Sequence, residues 1–381
     1  MRLLHLSDLH LGKKVFGFDM LPDQKIVLEE IKTFIQQHSP QAVIIAGDIY
    51  DRTNPPAEAI SLFNNFLSDV LINLKTPILA VAGNHDGAEL IGYGRELLSK
   101  VNLHIEGSFN KNIRKVTLQD EYGNVDFFLL PFAEHQVVRD VLQDPSIQSP
   151  DLAMQSICQL MQSSFTNSHR KVLITHGYIG GGNSPEICES EKPISIGGKS
   201  WVSAEHLSQF DYVALGHLHK AQQINSNKIR YAGSLLKYSF SEQNHQKSAT
   251  LVDINEYGEV TIQLLPITLP HDMCTLQGSF QDLLTNIRTH LQNSYLQVIL
   301  TDKEELWEPK RQLDKIYPYI MLFGIAEHLD SIRTLQITSA NRKNKPPIEM
   351  IEDFYFFCTE QHMSDNERSI LINSMEDICD L

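Results

Sequence analysis

Short runs of consecutive apolar residues alternate with longer amphipathic stretches along the first hundred residues. Runs at 2–7, 42–46, 77–82, 125–131 and 171–175, several of them rich in Val and Ile, predict buried strands. The stretch 22–38 spaces Gln24, Ile26, Leu28, Ile31, Phe34 and Ile35 as a helix would. The stretch 56–74 does the same with Ile60, Phe63, Phe66, Leu67 and Leu71. Strands alternating with helices predict a layered α/β domain with a largely parallel inner sheet. After residue 205 the pattern turns strand-rich, at 211–215, 222–225, 228–232, 248–253 and 258–265. Glu256-Tyr257-Gly258 supplies the turn of an antiparallel hairpin that ends the first domain.

Pro266 and Pro270 punctuate a boundary. Beyond it the pattern predicts a helix at 279–292, a strand at 294–301, a helix at 308–319 and a strand at 332–338, which together make a small α/β module. Asn341-Arg342-Lys343-Asn344-Lys345-Pro346-Pro347 then forms a basic linker. The last residues predict two amphipathic helices, one carrying Ile351, Phe354, Tyr355, Phe357 and Cys358, the other Ile370, Leu371, Met375 and Ile378. Ser364-Asp365-Asn366-Glu367 is a capping box that starts the second. So short a pair cannot bury its aromatic face alone, and it packs either on its own chain or on a partner. Three segments are therefore expected: 1–268, 269–345 and 346–381.

Composition narrows the class. The 381 residues are 42% hydrophobic and 21% charged, as in a globular protein. No apolar run approaches the roughly 20 residues that span a bilayer, so no membrane association is expected. Five scattered cysteines without a CxxC pair argue against a disulfide framework and make the cytoplasm the default location. A net charge of −15 disfavours nucleic acid at first sight. Residues 348–381 hold nine acids and one base, however, which leaves −7 on everything before them. Net charge excludes little.

The chemistry sits where the strands should end. Asp8-Leu9-His10, Gly47-Asp48-Ile49-Tyr50-Asp51, Gly83-Asn84-His85-Asp86, His176-Gly177 and Gly216-His217-Leu218-His219 follow apolar runs in order. A lone aspartate there is ordinarily a helix cap and a lone histidine a hydrogen-bonded core group. Five such motifs in strand-to-loop settings point to metal ions, because sites in open α/β sheets form outside the carboxyl ends of the strands. If extended geometry persists, Asp8 and His10 point to one face and reach one ion together. The mixed oxygen and imidazole donors favour Mn²⁺, with Fe or Zn plausible. Gly197-Gly198-Lys199-Ser200 has the ending of a phosphate-binding loop, but the first glycine that such a loop requires is absent. Any ATP dependence should come from a partner.

The order DxH, GDxxD, GNHD, H and GHxH resembles that of the calcineurin-like metallophosphoesterases. Three segments narrow the likeness: Leu6-Ser7-Asp8-Leu9-His10-Leu11-Gly12, Ala46-Gly47-Asp48-Ile49-Tyr50-Asp51 and Ala214-Leu215-Gly216-His217-Leu218-His219-Lys220. Together with Tyr231-Ala232-Gly233-Ser234 and Ile351-Glu352-Asp353-Phe354-Tyr355, they are similar to the branch containing the nuclease subunits of bacterial SbcCD complexes and their archaeal and eukaryotic repair relatives. The resemblance implies a four-layer α/β sandwich with a small α/β capping domain and a C-terminal helix pair. It implies two divalent ions, most simply Mn²⁺, one held by Asp8, His10, Asp48 and His219. Asp48 would bridge to a second ion held by Asn84, His176 and His217. It further implies in-line phosphodiester hydrolysis without a covalent intermediate, with His85 as the catalytic acid. Asp86 would orient His85 or merely cap a turn. Asp51 stands where some archaeal relatives carry a supporting histidine nearby.

The implied partners are DNA, an SbcC-type coiled-coil ATPase gripped by residues 348–381, and a second copy of the chain. For that dimer Ile60, Phe63, Phe66 and Leu67 are candidates, unless they are buried on their own sheet. Two other functions compete. One is a phosphatase or cyclic-nucleotide phosphodiesterase for small substrates, which would not need residues 271–345 or the helix pair. The other is a catalytically silent scaffold, against which stand the intact His85 and the complete ligand set.

Overall fold

The computed structural model describes residues 1–181, 185–191, 201–304 and 306–326, with Glu352, Tyr355, Met363, Ser364 and Arg368 beyond them. The chain divides into two compact units. One comprises Met1–Thr275, Arg288–Gln297 and Tyr317–Leu322; the other comprises Leu276–Ile287, Val298–Ile316 and Phe323–Leu381.

Two six-stranded sheets build the first unit. One runs in the order Val260–Pro266, Ser248–Ile254, Arg2–Leu6, Ala42–Ala46, Ile78–Val81, Leu103–Glu106. Its last four strands are parallel and the first two antiparallel. The other runs Gln222–Ile224, Ser226–Tyr231, Tyr212–Gly216, Arg170–His176, Gly123–Leu130, Arg114–Asp120, parallel at its centre and antiparallel at both edges. The inner faces meet through Leu3, Ile44 and Val81 on one side and Val125, Phe127, Ile174 and Ala214 on the other. Burying a side chain the size of Phe127 contributes about 2–3 kcal/mol, so this apolar seam sets how the strand ends of the two sheets face each other.

Helices cover both outer faces, completing the four layers. Helix Leu21–His38 buries Asp23, Gln24, Val27, Leu28, Ile31 and Ile35, an i, i+3, i+4 stripe that is apolar beyond its first turn. Ile26, expected on that stripe, lies on the exposed side, and Phe34 only flanks the core. Helix Ala57–Ser68 continues into a π-turn at Asp69–Asn73. It buries Ala59, Phe63 and Phe66, followed by Val70 in the π-turn. Phe63 and Phe66, expected as possible dimer contacts, therefore belong to the core, while Ile60 is exposed. On the second sheet, Val138 of His135–Leu142 and Ala153, Met154, Ile157 and Met161 of Pro150–Gln162 pack on Phe128, Leu173 and Leu215.

The elements expected beyond residue 270 are only partly observed. Strand Tyr295–Leu300 is present, but it lies between Met273–Gly278 and Ile320–Ile325, neither of which the apolar pattern predicts. The helix expected at 279–292 breaks into Phe280–Thr285 and a short turn at Thr289–Leu291. The one expected at 308–319 covers only Pro309–Leu313. The strand expected at 332–338, the basic linker and nearly all of 348–381 lie outside the described residues. One helical hydrogen bond is described there, from the Arg368 amide to the Ser364 carbonyl at 2.9 Å, in the register that the capping box predicts. No helix among the described residues is long and apolar enough to cross a membrane.

Candidate metal centre

The carboxyl ends of the parallel strands deliver the motifs to one place. Strand Arg2–Leu6 stops before Asp8, which with His10 takes a left-handed backbone (φ 53° and 45°). Strand alternation does not aim these two side chains, contrary to expectation. Their amides instead bond the carbonyls of Gly47 and Asp48, both at 3.0 Å, so the first and second motifs zip together along their backbones. Gly47 (φ 87°) and Asp48 (φ 50°) turn just as sharply. A Cβ on Gly47 would fall 2.4 Å from His176 Nδ1, so glycine is needed for space as well as for conformation. His217 sits at φ 113°, an unusual value for a side-chain-bearing residue. Such conformations cost about 1–3 kcal/mol each and persist where packing over-determines them. Asp8, His10, Asp48 and His217, which adopt them, are all expected ligands.

The side chains then converge. His10 Nε2 and His219 Nε2 lie 3.1 Å apart. Asp48 Oδ2 lies 3.5 Å from His176 Nε2, 3.7 Å from His10 Nε2 and 3.9 Å from His85 Nε2. Asn84 Oδ1 is 3.0 Å from His176 Nε2 and 3.2 Å from His217 Nδ1. The groups Asp8, His10, His219 and Asp8, Asp48, His176 each bring their donor atoms within 4.8 Å of one another. All these side chains are buried except that of Asn84, which is half-buried.

This donor set fits divalent metal ions. Ligands about 2.1 Å from a common ion lie about 3–3.4 Å apart around it; the His10–His219, Asn84–His176 and Asn84–His217 separations are of that size, and those from Asp48 to His176 and His10 are slightly longer, at 3.5 and 3.7 Å. Burial drives the Asp8 carboxyl up to about 7, and the neighbouring Asp48 charge adds to this against the opposing pull of His176, Ser7 and the His217 amide. Burial also lowers His10, His176 and His217, so their imidazoles are neutral and hold lone pairs to donate. His176 Nδ1 donates to the Ala46 carbonyl at 2.9 Å, which leaves Nε2 as its donor atom toward the centre.

The three residues expected to act in catalysis lie at the rim of this cluster. His85 Nδ1 donates to the backbone carbonyl of Asp51 at 2.8 Å, and its ring packs edge-on against His10 with centroids 4.7 Å apart. Asp51 thus meets His85 through its main chain. Its carboxylate pairs with Lys13 at 2.6 Å and lies 3.6 Å from His10 Nδ1. Asp86 accepts from the amides of Ile49 (3.1 Å), Tyr50 (2.8 Å) and Gly83 (2.9 Å), the geometry of a turn-capping carboxylate that ties the second and third motifs together.

Several supporting residues are not apparent from the motifs. Gln24 accepts from the Gly12 amide at 3.0 Å and donates to the carbonyls of Leu9 (3.2 Å) and His10 (2.7 Å); the Tyr238 hydroxyl also donates to Leu9, at 2.6 Å. Gln24 does leave a trace in the sequence, as a polar residue in register with the apolar positions of a helical stripe. Glu191, whose Oε1 accepts the His219 amide at 2.7 Å, leaves none.

The family model of calcineurin-like phosphoesterases matches residues 1–221, and a second, described as the type 5 capsule protein repressor C-terminal domain, matches residues 269–357. The chain is 32% identical over 367 residues to the SbcCD nuclease subunit of Staphylococcus epidermidis, covering 96% of this chain and 95% of that protein. Among solved structures, a dimetal phosphatase from Danio rerio is similar over 71% of this chain and 99% of its own, at 13% identity and a TM-score of 0.41. A phosphopantetheinyl hydrolase from Mycobacterium tuberculosis is similar over 61% and 88%, at 13% identity and a TM-score of 0.32. With more than half of its residues matched by the first family model, the chain belongs to the calcineurin-like phosphoesterases and resembles, over nearly its whole length, the nuclease subunit of SbcCD complexes.

Proposed function

We propose that the chain is the nuclease subunit of an SbcCD-type complex, hydrolysing DNA phosphodiesters with two divalent ions, most simply Mn²⁺. Asp8, His10 and His219 would hold one ion, Asn84, His176 and His217 the other, and Asp48 both. When bound, the ions neutralise the phosphate and supply Lewis acidity in an in-line displacement. The protein's own part is positional and protonic. Asp48 Oδ2, set among three imidazoles, holds the two halves of the site in register. His85, fixed through Nδ1 by the Asp51 carbonyl, presents Nε2 as the atom that gives a proton to the departing sugar oxygen. The observation that carries this reading is the buried convergence of the motif side chains in a chain aligned to a nuclease subunit along almost its full length.

On this reading residues 1–268 are the nuclease domain, 269–345 a capping domain and 346–381 the element that docks on an SbcC-type ATPase. The complex would act in the cytoplasm on double-strand ends, single strands and hairpins, serving DNA repair, recombination and replication. Self-association would use the exposed apolar residues Leu90, Tyr93, Leu97 and Val101 after the third motif, with Ile60 beside them in function.

The test is cleavage by the purified chain in Mn²⁺ of duplex and single-stranded DNA beside p-nitrophenyl phosphate, with and without the ATPase and ATP. DNA cleavage supports the proposal. Hydrolysis of the small ester with none of any DNA under all conditions removes it and favours a small-substrate phosphoesterase.

A further inference from the structure

Behind His219 lies a buried polar network that no motif announces. Glu242 is fully buried and Lys247 nearly so, and they pair at 2.6 Å. Glu242 Oε1 accepts from the Ser190 hydroxyl at 2.7 Å, the Tyr238 amide at 3.1 Å and the Ser239 hydroxyl at 3.2 Å. His219 Nδ1 lies 2.8 Å from Ser190 Oγ and 3.4 Å from Glu242 Oε1. Lys247 Nζ also donates to the His219 carbonyl at 2.9 Å and to Ser234 Oγ at 2.8 Å.

Proton counting fixes the direction of these bonds. Ser190 has one hydroxyl proton, and the carboxylate can only accept it. Its oxygen must then accept from His219, so the imidazole carries its proton on Nδ1. The other nitrogen, Nε2, is left with its lone pair facing His10 Nε2 at 3.1 Å. A buried carboxylate could not stay ionised alone, and Lys247 supplies the compensating charge while gripping the main chain of the same histidine. Ring and backbone of His219 are thus held from one ion pair.

We infer that Glu242, anchored by Lys247 and acting through Ser190, is a positioning residue that locks His219 in the Nδ1–H tautomer and aims its Nε2 at a divalent cation. This rests on the proposed metal-binding role of His219. Outer partners of this kind typically change metal affinity about 10–100-fold. Only the ion shared with Asp8 and His10 should feel the loss; the one near Asn84, His176 and His217 should not.

The experiment is a calorimetric Mn²⁺ titration of the full chain, its Glu242→Gln variant and the Glu242→Gln/Lys247→Met double variant. The double variant removes both charges and so avoids an unpaired buried lysine. The wild-type chain should take up two ions, and each variant should bind one of them about 10–100-fold more weakly and the other unchanged. Imidazole ¹⁵N spectra of the wild-type chain should show His219 protonated at Nδ1, a readout that needs no variant to fold. Two-site uptake with unaltered affinities in the variants, or a His219 proton on Nε2, overturns this inference alone. No Mn²⁺ uptake by the wild-type chain overturns the metal reading and this inference with it.

Discussion

Replacing His85 with alanine separates catalysis from metal binding. Its backbone amide bonds Asp48 Oδ1 at 2.9 Å, a contact that survives the substitution, so the bridging carboxylate keeps its place. What is lost is a ring whose Nδ1 is pinned at 2.8 Å to the Asp51 carbonyl and whose Nε2 stands 3.9 Å from Asp48 Oδ2. General acid catalysis by a positioned side chain contributes about 10²–10⁴-fold, or about 3–5 kcal/mol of barrier. His85→Ala should therefore lower kcat for a Mn²⁺-saturated DNA substrate by about 10²–10⁴-fold, while a Mn²⁺ titration gives the wild-type stoichiometry and affinity. Substrates with a better leaving group should lose less, since they need protonation less. A kcat within about twofold of wild type would show that His85 carries no proton in the rate-limiting step. A lost ion would show that it is a ligand.

Other expectations follow from the same geometry. A Cβ at position 216 would meet the Ala46 carbonyl oxygen at 1.9 Å, so Gly216→Ala should destabilise the fold by about 3 kcal/mol, read as a fall in the thermal midpoint. Because the Asp8 carboxyl is raised to about 7 in the folded chain, the metal-free protein should lose stability as pH climbs from about 4 to about 7 and level off above. Mn²⁺ uptake below about pH 7 should accordingly release protons, visible as a dependence of the binding enthalpy on the buffer; a buffer-independent enthalpy contradicts the assignment. Removing 348–381 should abolish association with an SbcC-type ATPase and leave metal-dependent hydrolysis in place; co-purification with the ATPase decides. Leu97→Asp should shift a dimer to monomer in light scattering, and an unchanged mass would place self-association elsewhere.

The parts of the fold legible in the sequence are those where burial is complete. Val43-Ile44-Ile45-Ala46 reads as a covered strand, and the spacing of Gln24, Ile26, Leu28, Ile31, Phe34 and Ile35 reads as a helix, although Ile26 is exposed and Phe34 only flanks the core. Arg114–Asp120 is hard to read because it is an antiparallel edge strand with much of its length exposed, so its apolar alternation is weak. Met273–Gly278 and Ile320–Ile325 owe their strand state to pairing with Tyr295–Leu300, a distant contact that no local pattern reports. The site divides in the same way. Its donor residues are visible as motifs, but the left-handed backbones of Asp8, His10 and Asp48 are imposed by loops bonding to one another. Asp86 caps a turn, and Asp51 serves His85 with its carbonyl, because hydrogen bonding to the main chain is set by loop geometry, not by residue type. Glu242 lies between strands in a short turn, where a glutamate carries no signal until the fold places it behind His219.

One pocket should hold two ions, with Asp48 reaching both. Anomalous diffraction at the manganese edge from Mn²⁺-soaked crystals tests it directly. Two peaks about 3.5–4 Å apart are expected, one against Asp8, His10 and His219 and the other against Asn84, His176 and His217, with Asp48 touching both. A single peak, or peaks away from these residues, would contradict it.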